Sequence, residues 1–272
     1  MVNLQRKSLI NSQSPNPSVE TLLHAFLPYK YVDHTHSSAI LGLIDQPNDI
    51  QICKNTFGQK VGIVPYIIPG FDLAKLSDEI FKQNDDVIGL ILLKHGIFTF
   101  GNDAKQSYDR MINLVSVAEK KINSVKNKIL NRQILNKKLS TNITNDLFPL
   151  IRKNLSIKEK DGTYTKWILD LRVNDKILKY LSHPNLKDYS ARGPVTPDHV
   201  IRIKSKPLIL NLNNIKKENL NIFIKKEINK FKKDYHNYFL KNKRFVAKPI
   251  ELDPNPRLIY IPNFGIIGIG RS

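Results

Sequence analysis

Through the first 130 residues, segments with helical spacing alternate with short extended apolar segments, and this alternation constrains the fold more than any other feature. VETLLHAFL (19–27) has helical periodicity, is predicted to open at an N-capping Ser18 and stops at Pro28. YKYVDHTH (29–36) is rich in β-branched and aromatic residues and reads as a strand. SSAILGLID reads as the next helix, begun by Ser37 or Ser38. A short strand over 62–68 is broken by Pro65, and a helix follows over 72–83. Residues 86–93 (DVIGLILL) read as a buried strand, and 97–100 continue extended. A long helix over 104–130 is capped by Asn102 or Asp103. The expectation is an α/β fold with layered helices and strands.

Residues 131–191 are looser and more helical, and are expected to form a helical insertion or connecting region; Tyr164 and Trp167 read as its core. Residues 192–272 contain two proline turns, an extended segment, a basic amphipathic helix over 216–243, and two short strands around Pro262–Gly265. No fixed-period repeat is visible.

With 272 residues and 41% hydrophobic side chains, the chain has enough apolar material for a core. The single cysteine, Cys53, excludes a disulfide framework and a Cys-rich zinc module, and suits a reducing, cytoplasmic setting. No apolar run has the length of a membrane span, and the first residues lack a signal peptide's apolar stretch, so no membrane partner is expected. The net charge of +19 invites a nucleic-acid reading. The excess is mostly lysine, however, concentrated in 120–138 and 216–248, and no nucleic-acid-binding motif accompanies it. A solvated basic face explains it, and nucleic acid is not an expected partner.

Three of the seven histidines stand apart. His34 and His36 lie two apart on a predicted strand, which turns both side chains to one face. His95 lies at the end of a second strand, beside Gly96. Three neutral imidazoles would leave a tetrahedral ion one open position, as in a catalytic zinc site. An HxH pair alone is common in ordinary surfaces and cores. Glu20, on the preceding helix, is a candidate general acid/base; the plainer reading is a carboxylate favoured at a helix N-terminus. His24 reads as a packed neighbour of the site, His183 and His236 as surface residues, and His199 as part of a structural turn.

The run SVETLLHAFLPYKYVDHTHSSAILGL, followed by LLKHGIFTFG, resembles the class II aldolase/adducin family. It is most similar to the aldolase part of bifunctional rhamnulose-1-phosphate aldolase/short-chain dehydrogenases, which also show segments like TPDHVIRIK (196–204) and PNFG (262–265). The resemblance implies a three-layer α/β/α sandwich around a mostly antiparallel sheet, with 1–130 as the metal-site core and 192–272 as the C-terminal part of the aldolase-like domain. It implies His34, His36 and His95 as ligands of a divalent metal, expected to be Zn2+, and Glu20 as the acid/base. The implied reaction is retro-aldol cleavage of a ketose 1-phosphate: rhamnulose 1-phosphate would give dihydroxyacetone phosphate and lactaldehyde. A homo-oligomer is implied as well. An epimerase or dehydratase on the same fold, and a non-catalytic adducin-like domain, are the competing readings.

The family's phosphate-binding glycine-asparagine loop has no counterpart in residues 1–17, which leaves Ser14 and Ser18 as phosphate-contact candidates beside a plainer turn-and-cap reading. The final GIIGIG (265–270) does not have dinucleotide-fingerprint spacing, so no NAD site is expected. The chain reads as the interior of a longer protein, ending before any dehydrogenase domain.

Overall fold

A computed structural model describes residues 2–125, 141–245 and 248–271. Two compact units emerge. The first holds residues 1–126 together with Val195–Asp198, and the second holds 127–194 and 199–272.

The first unit contains α1 (Val2–Lys7), α2 (Thr21–Phe26), β1 (Tyr31–Thr35), α3 (Ser38–Ile44), α4 (Asp49–Phe57), β2 (Val61–Val64), α5 (Phe71–Gln83), β3 (Gly89–Leu92), β4 (Gly96–Gly101) and α6 (Ala104–Ser124). Its sheet has the order β1-β4-β3-β2. β4 runs antiparallel to both β1 and β3, while β2 and β3 are parallel.

Burial on both faces explains the apolar runs of the central strands. Ile91 and Ile97 point into a core shared with Ile40, Ile44, Cys53, Met111 and Leu114 of α3, α4 and α6. Leu90, Leu92, Phe98 and Phe100 point the other way, into a core with Leu23 of α2 and Leu73, Ala74 and Phe81 of α5. Helices therefore cover the sheet on both sides, giving the expected α/β/α layering.

The second unit contains α7 (Thr141–Leu155), β5 (Ile168–Arg172), α8 (Asp175–Leu181), α9 (Leu186–Ser190), α10 (Pro197–Val200, begun within the segment that groups with the first unit), β6 (Leu208–Ile209), α11 (Leu220–Asn242), β7 (Leu258–Ile261) and β8 (Gly265–Gly270). Its sheet order is β5-β8-β7-β6, with β8 antiparallel to β5 and β7, and β6 parallel to β7. Leu147 and Ile151 of α7, and Leu220, Ile224, Ile228 and Phe231 of α11, pack with Ile259, Ile261, Ile267 and Ile269 of the sheet.

The two sheets repeat one plan. In the first, Thr35, the last residue of β1, faces Ile97, which follows Gly96. In the second, Arg172, the last residue of β5, faces Ile266, which follows Gly265. Both antiparallel hairpins turn through a left-handed residue, Lys94 (φ 59°) and Asn263 (φ 63°). A repeat of this kind escapes a fixed-period search because the helical connections differ in length between the copies.

Several local expectations need correction. Ser18 is not the cap of α2. Glu20 occupies the N-cap position, and the Ser18 hydroxyl accepts the Glu20 N–H at 3.2 Å, a local turn that competes with helix. β1 ends at Thr35, so His36 lies just beyond it. Helix α4 has no counterpart in the sequence reading. Tyr164 is exposed, whereas Trp167 is buried and donates its indole N–H to the Leu155 carbonyl at 3.0 Å. Of the long predicted helix, α6 accounts for Ala104–Ser124, capped by the Asp103 carboxylate on the Gln106 N–H. The rest of that helix, and most of the basic stretch 120–138, lie outside the described residues.

Candidate metal centre

The site lies where β1 ends, beside the β3–β4 turn and the start of α2. Each side chain is brought there by a local rule. His34 stands directly opposite Phe98 in the β1–β4 ladder, and the two rings stack with centroids 4.0 Å apart. His36 lies two residues on and falls on the same side. His95 is the last residue of the β3–β4 turn and is buried, with only 3% of its surface exposed. Glu20 reaches in from the N-cap position of α2.

The turn needs its glycine for close approach. A Cβ on Gly96 would sit 2.6 Å from the Thr35 carbonyl oxygen, 3.0 Å from His34 Cε1 and 3.0 Å from His36 Cδ2. Lys94, at the left-handed position, extends its ammonium to Asp49 at 2.9 Å, linking the turn to the start of α4.

The four side chains converge. One ligand atom from each of Glu20, His34, His36 and His95 lies within 4.8 Å of the others. Glu20 Oε1 is 2.6 Å from His95 Nε2, 3.3 Å from His34 Nε2 and 3.8 Å from His36 Nε2. Hydrogen bonds from His34 and His95 hold the Glu20 carboxyl well below the usual carboxylate range, against the opposing pull of burial.

The donor chemistry fits a divalent cation. When it holds a cation, a neutral His34 would keep its Nδ1–H on the Ile97 carbonyl at 2.9 Å and present the Nε2 lone pair in place of a hydrogen bond to Glu20. His36 directs Nδ1 to the Asp198 carboxylate at 2.8 Å, which likewise leaves Nε2 to present the lone pair. The two Nε2 atoms then face each other across 3.0 Å with lone pairs turned to the same space. A shared cation removes that repulsion, and zinc–nitrogen bonds of about 2.0–2.1 Å suit such a spacing. His95 Nδ1 is buried without a hydrogen-bond partner among the described residues.

The other predicted candidates fall outside this cluster. Ser14 and Ser18 are exposed; the Ser14 N–H bonds the Asn11 carbonyl, and Ser18 supports the Glu20 backbone. His24 is exposed and meets Phe98 edge-on at 5.3 Å. His183 is half-buried against Tyr189, and His236 is exposed beside Glu251. Asp198, in the TPDH segment beside His199, is a fifth residue at the cluster that the sequence patterns do not single out.

In the second unit, the positions matching His34, His36 and His95 hold Leu171, Val173 and Phe264. The glycine is kept: a Cβ on Gly265 would sit 2.8 Å from the Arg172 carbonyl oxygen and Val173 Cγ2, and 3.0 Å from Leu171 Cδ1. One architecture thus carries imidazoles in one copy and apolar side chains in the other.

Residues 1–122 match the class II aldolase and adducin N-terminal domain, and residues 142–272 match the second domain of class II aldolases. The uncharacterised oxidoreductase YuxG of Bacillus subtilis is 32% identical over 282 residues, covering all of this chain but only 39% of that protein. The N-terminal class II aldolase domain of a conserved Thermoplasma acidophilum protein shares 46% identity, over 44% of this chain and 55% of that one, with a TM-score of 0.41. An aldolase II superfamily protein from Pseudomonas syringae shares 16% identity over 42% of this chain and 50% of its own, with a TM-score of 0.35. The two family matches leave only a short central segment uncovered, and the chain is thus built of domains of the class II aldolase/adducin family.

Proposed function

We propose that the first unit is a metal-dependent aldolase centre that cleaves a ketose 1-phosphate, with rhamnulose 1-phosphate as the substrate to try first. The observation that carries this reading is the convergence of Glu20, His34, His36 and His95 within an N-terminal class II aldolase domain. When bound, a divalent metal would act as a Lewis acid toward the negative charge that develops as the carbon–carbon bond breaks. His34, His36 and His95 would hold it, with zinc the expected ion. Glu20 Oε1 would accept the proton of the hydroxyl whose carbon becomes the aldehyde, and an acid at the same place would return a proton to carbon. The products would be dihydroxyacetone phosphate and lactaldehyde. Ser18, two residues from Glu20, and Ser14 remain proposed phosphate contacts, and a homo-oligomer in a reducing cytoplasm remains the proposed setting.

This chain spans about two fifths of the curated relative's length, so the whole protein's activity is part of the proposal. The test is release of dihydroxyacetone phosphate from rhamnulose 1-phosphate by the purified, metal-loaded chain. Glu20→Gln should lower kcat by at least about 100-fold while keeping the metal, the lower end of what a general acid/base contributes. A Glu20→Gln variant as active as wild type would remove Glu20 from the chemistry. Metal binding without cleavage of any ketose 1-phosphate would remove the aldolase reading.

A further inference from the structure

His34 and His36 are held differently. His34 lies within β1, is fixed by ladder pairing, stacks on Phe98 and bonds the Ile97 carbonyl. His36 lies one residue past the strand, where no ladder register sets its ring. Its nearest ring neighbours, His34 and His95, stand edge-on or tilted at 4.7 and 5.1 Å. Something else must orient it. The structure places the Asp198 carboxylate 2.8 Å from His36 Nδ1. Asp198 comes from the Val195–Asp198 segment, which groups with the first unit although it lies far along the chain.

We propose that Asp198 is a positioning residue: by accepting the His36 Nδ1–H it fixes the ring's tautomer and orientation, and makes Nε2 a stronger metal donor. The reasoning is general. A carboxylate behind a ligating imidazole opposes ring rotation and raises the basicity of the far nitrogen. The exposure of the Asp198 side chain, 59%, means that the carboxylate can be altered without opening a core, whereas the His36 side chain is only 18% exposed. This inference rests on the metal reading of the site.

The test uses the full chain, stripped of metal and titrated with Zn2+ against a chromogenic chelator, then with Co2+ while its visible absorption is recorded. Asp198→Ala should weaken Zn2+ binding about 10–100-fold, the usual effect of losing such a partner. Asp198→Asn, which keeps an acceptor but not the charge, should lose less, and Asp198→Glu should recover most of the affinity. The melting temperature of the metal-free protein should not change, which separates positioning from a structural role. Should Asp198→Ala fold poorly, the nearly isosteric Asp198→Asn carries the comparison. An Asp198→Ala protein that binds Zn2+ within twofold of wild type, with an unchanged Co2+ spectrum, would overturn the inference while leaving the metal site standing. A wild type that takes up no metal would overturn both.

Discussion

At the scale of single residues, the site depends as much on what is missing from one side chain as on what the others carry. Gly96 lets the β3–β4 turn pass against β1 with no Cβ between the histidines. Gly96→Ala forces that Cβ onto a backbone carbonyl that cannot yield easily. It should cost about 1–3 kcal/mol, the range for overpacking, and should weaken metal binding at the same time. Chemical denaturation and metal titration of one variant check both. Cys53 makes a contrasting case. It is fully buried, and burial together with the nearby Asp49 charge pushes its thiol up to about 11. At pH 8 only about a thousandth of it is thiolate, and that fraction is shielded from reagent. Iodoacetamide should leave Cys53 unmodified in the native protein and label it fully in urea; rapid native labelling, read by mass spectrometry, would contradict the packing of α4.

At the scale of elements, the long periodic segments were legible and the short ones were not. Helix α11 follows its apolar spacing: Leu220, Ile224, Ile228 and Phe231 are buried, while Ile222, on the other face, is 67% exposed. Ile228→Ala should cost about 2–5 kcal/mol, as large-to-small core changes do. Ile222→Ala should stay within about 0.5 kcal/mol. Equal losses in urea denaturation would contradict the orientation of the helix. The strands of the first unit were readable because burial on both faces leaves unbroken apolar runs, as in GLIL of β3. Boundaries were less readable. At the start of α2 the Ser18 hydroxyl serves a turn, and Glu20 takes the cap, which moves the carboxylate toward the histidines. Helix α4, of nine residues and with only Cys53 and Phe57 buried, has too weak an apolar face to stand out.

At the scale of the whole molecule, the chain presents one sheet plan twice, with the glutamate–histidine cluster in one copy. His34, His36 and His95 were legible because the HxH pair and the His-Gly turn are local patterns, and Glu20 because it stands on the segment just before them. Asp198 was not, because its partner His36 is remote in sequence and only folding brings them together. The repeat was hidden for a related reason: it lives in strand order and register, while Leu171, Val173 and Phe264 stand where the first copy has histidines. On α11 the lysines Lys225, Lys226, Lys230 and Lys233 are exposed, opposite the buried apolar stripe. None of the described helices is long and apolar enough to cross a membrane. The most direct measurement is the metal content of the purified chain, with Zn2+ added and free ion removed, for wild type and His34→Ala. One tightly held divalent ion per wild-type chain is expected, with at least about 100-fold weaker binding in the variant, beyond the effect of an outer partner. A wild type holding no ion, or a variant holding it equally well, would contradict the metal centre.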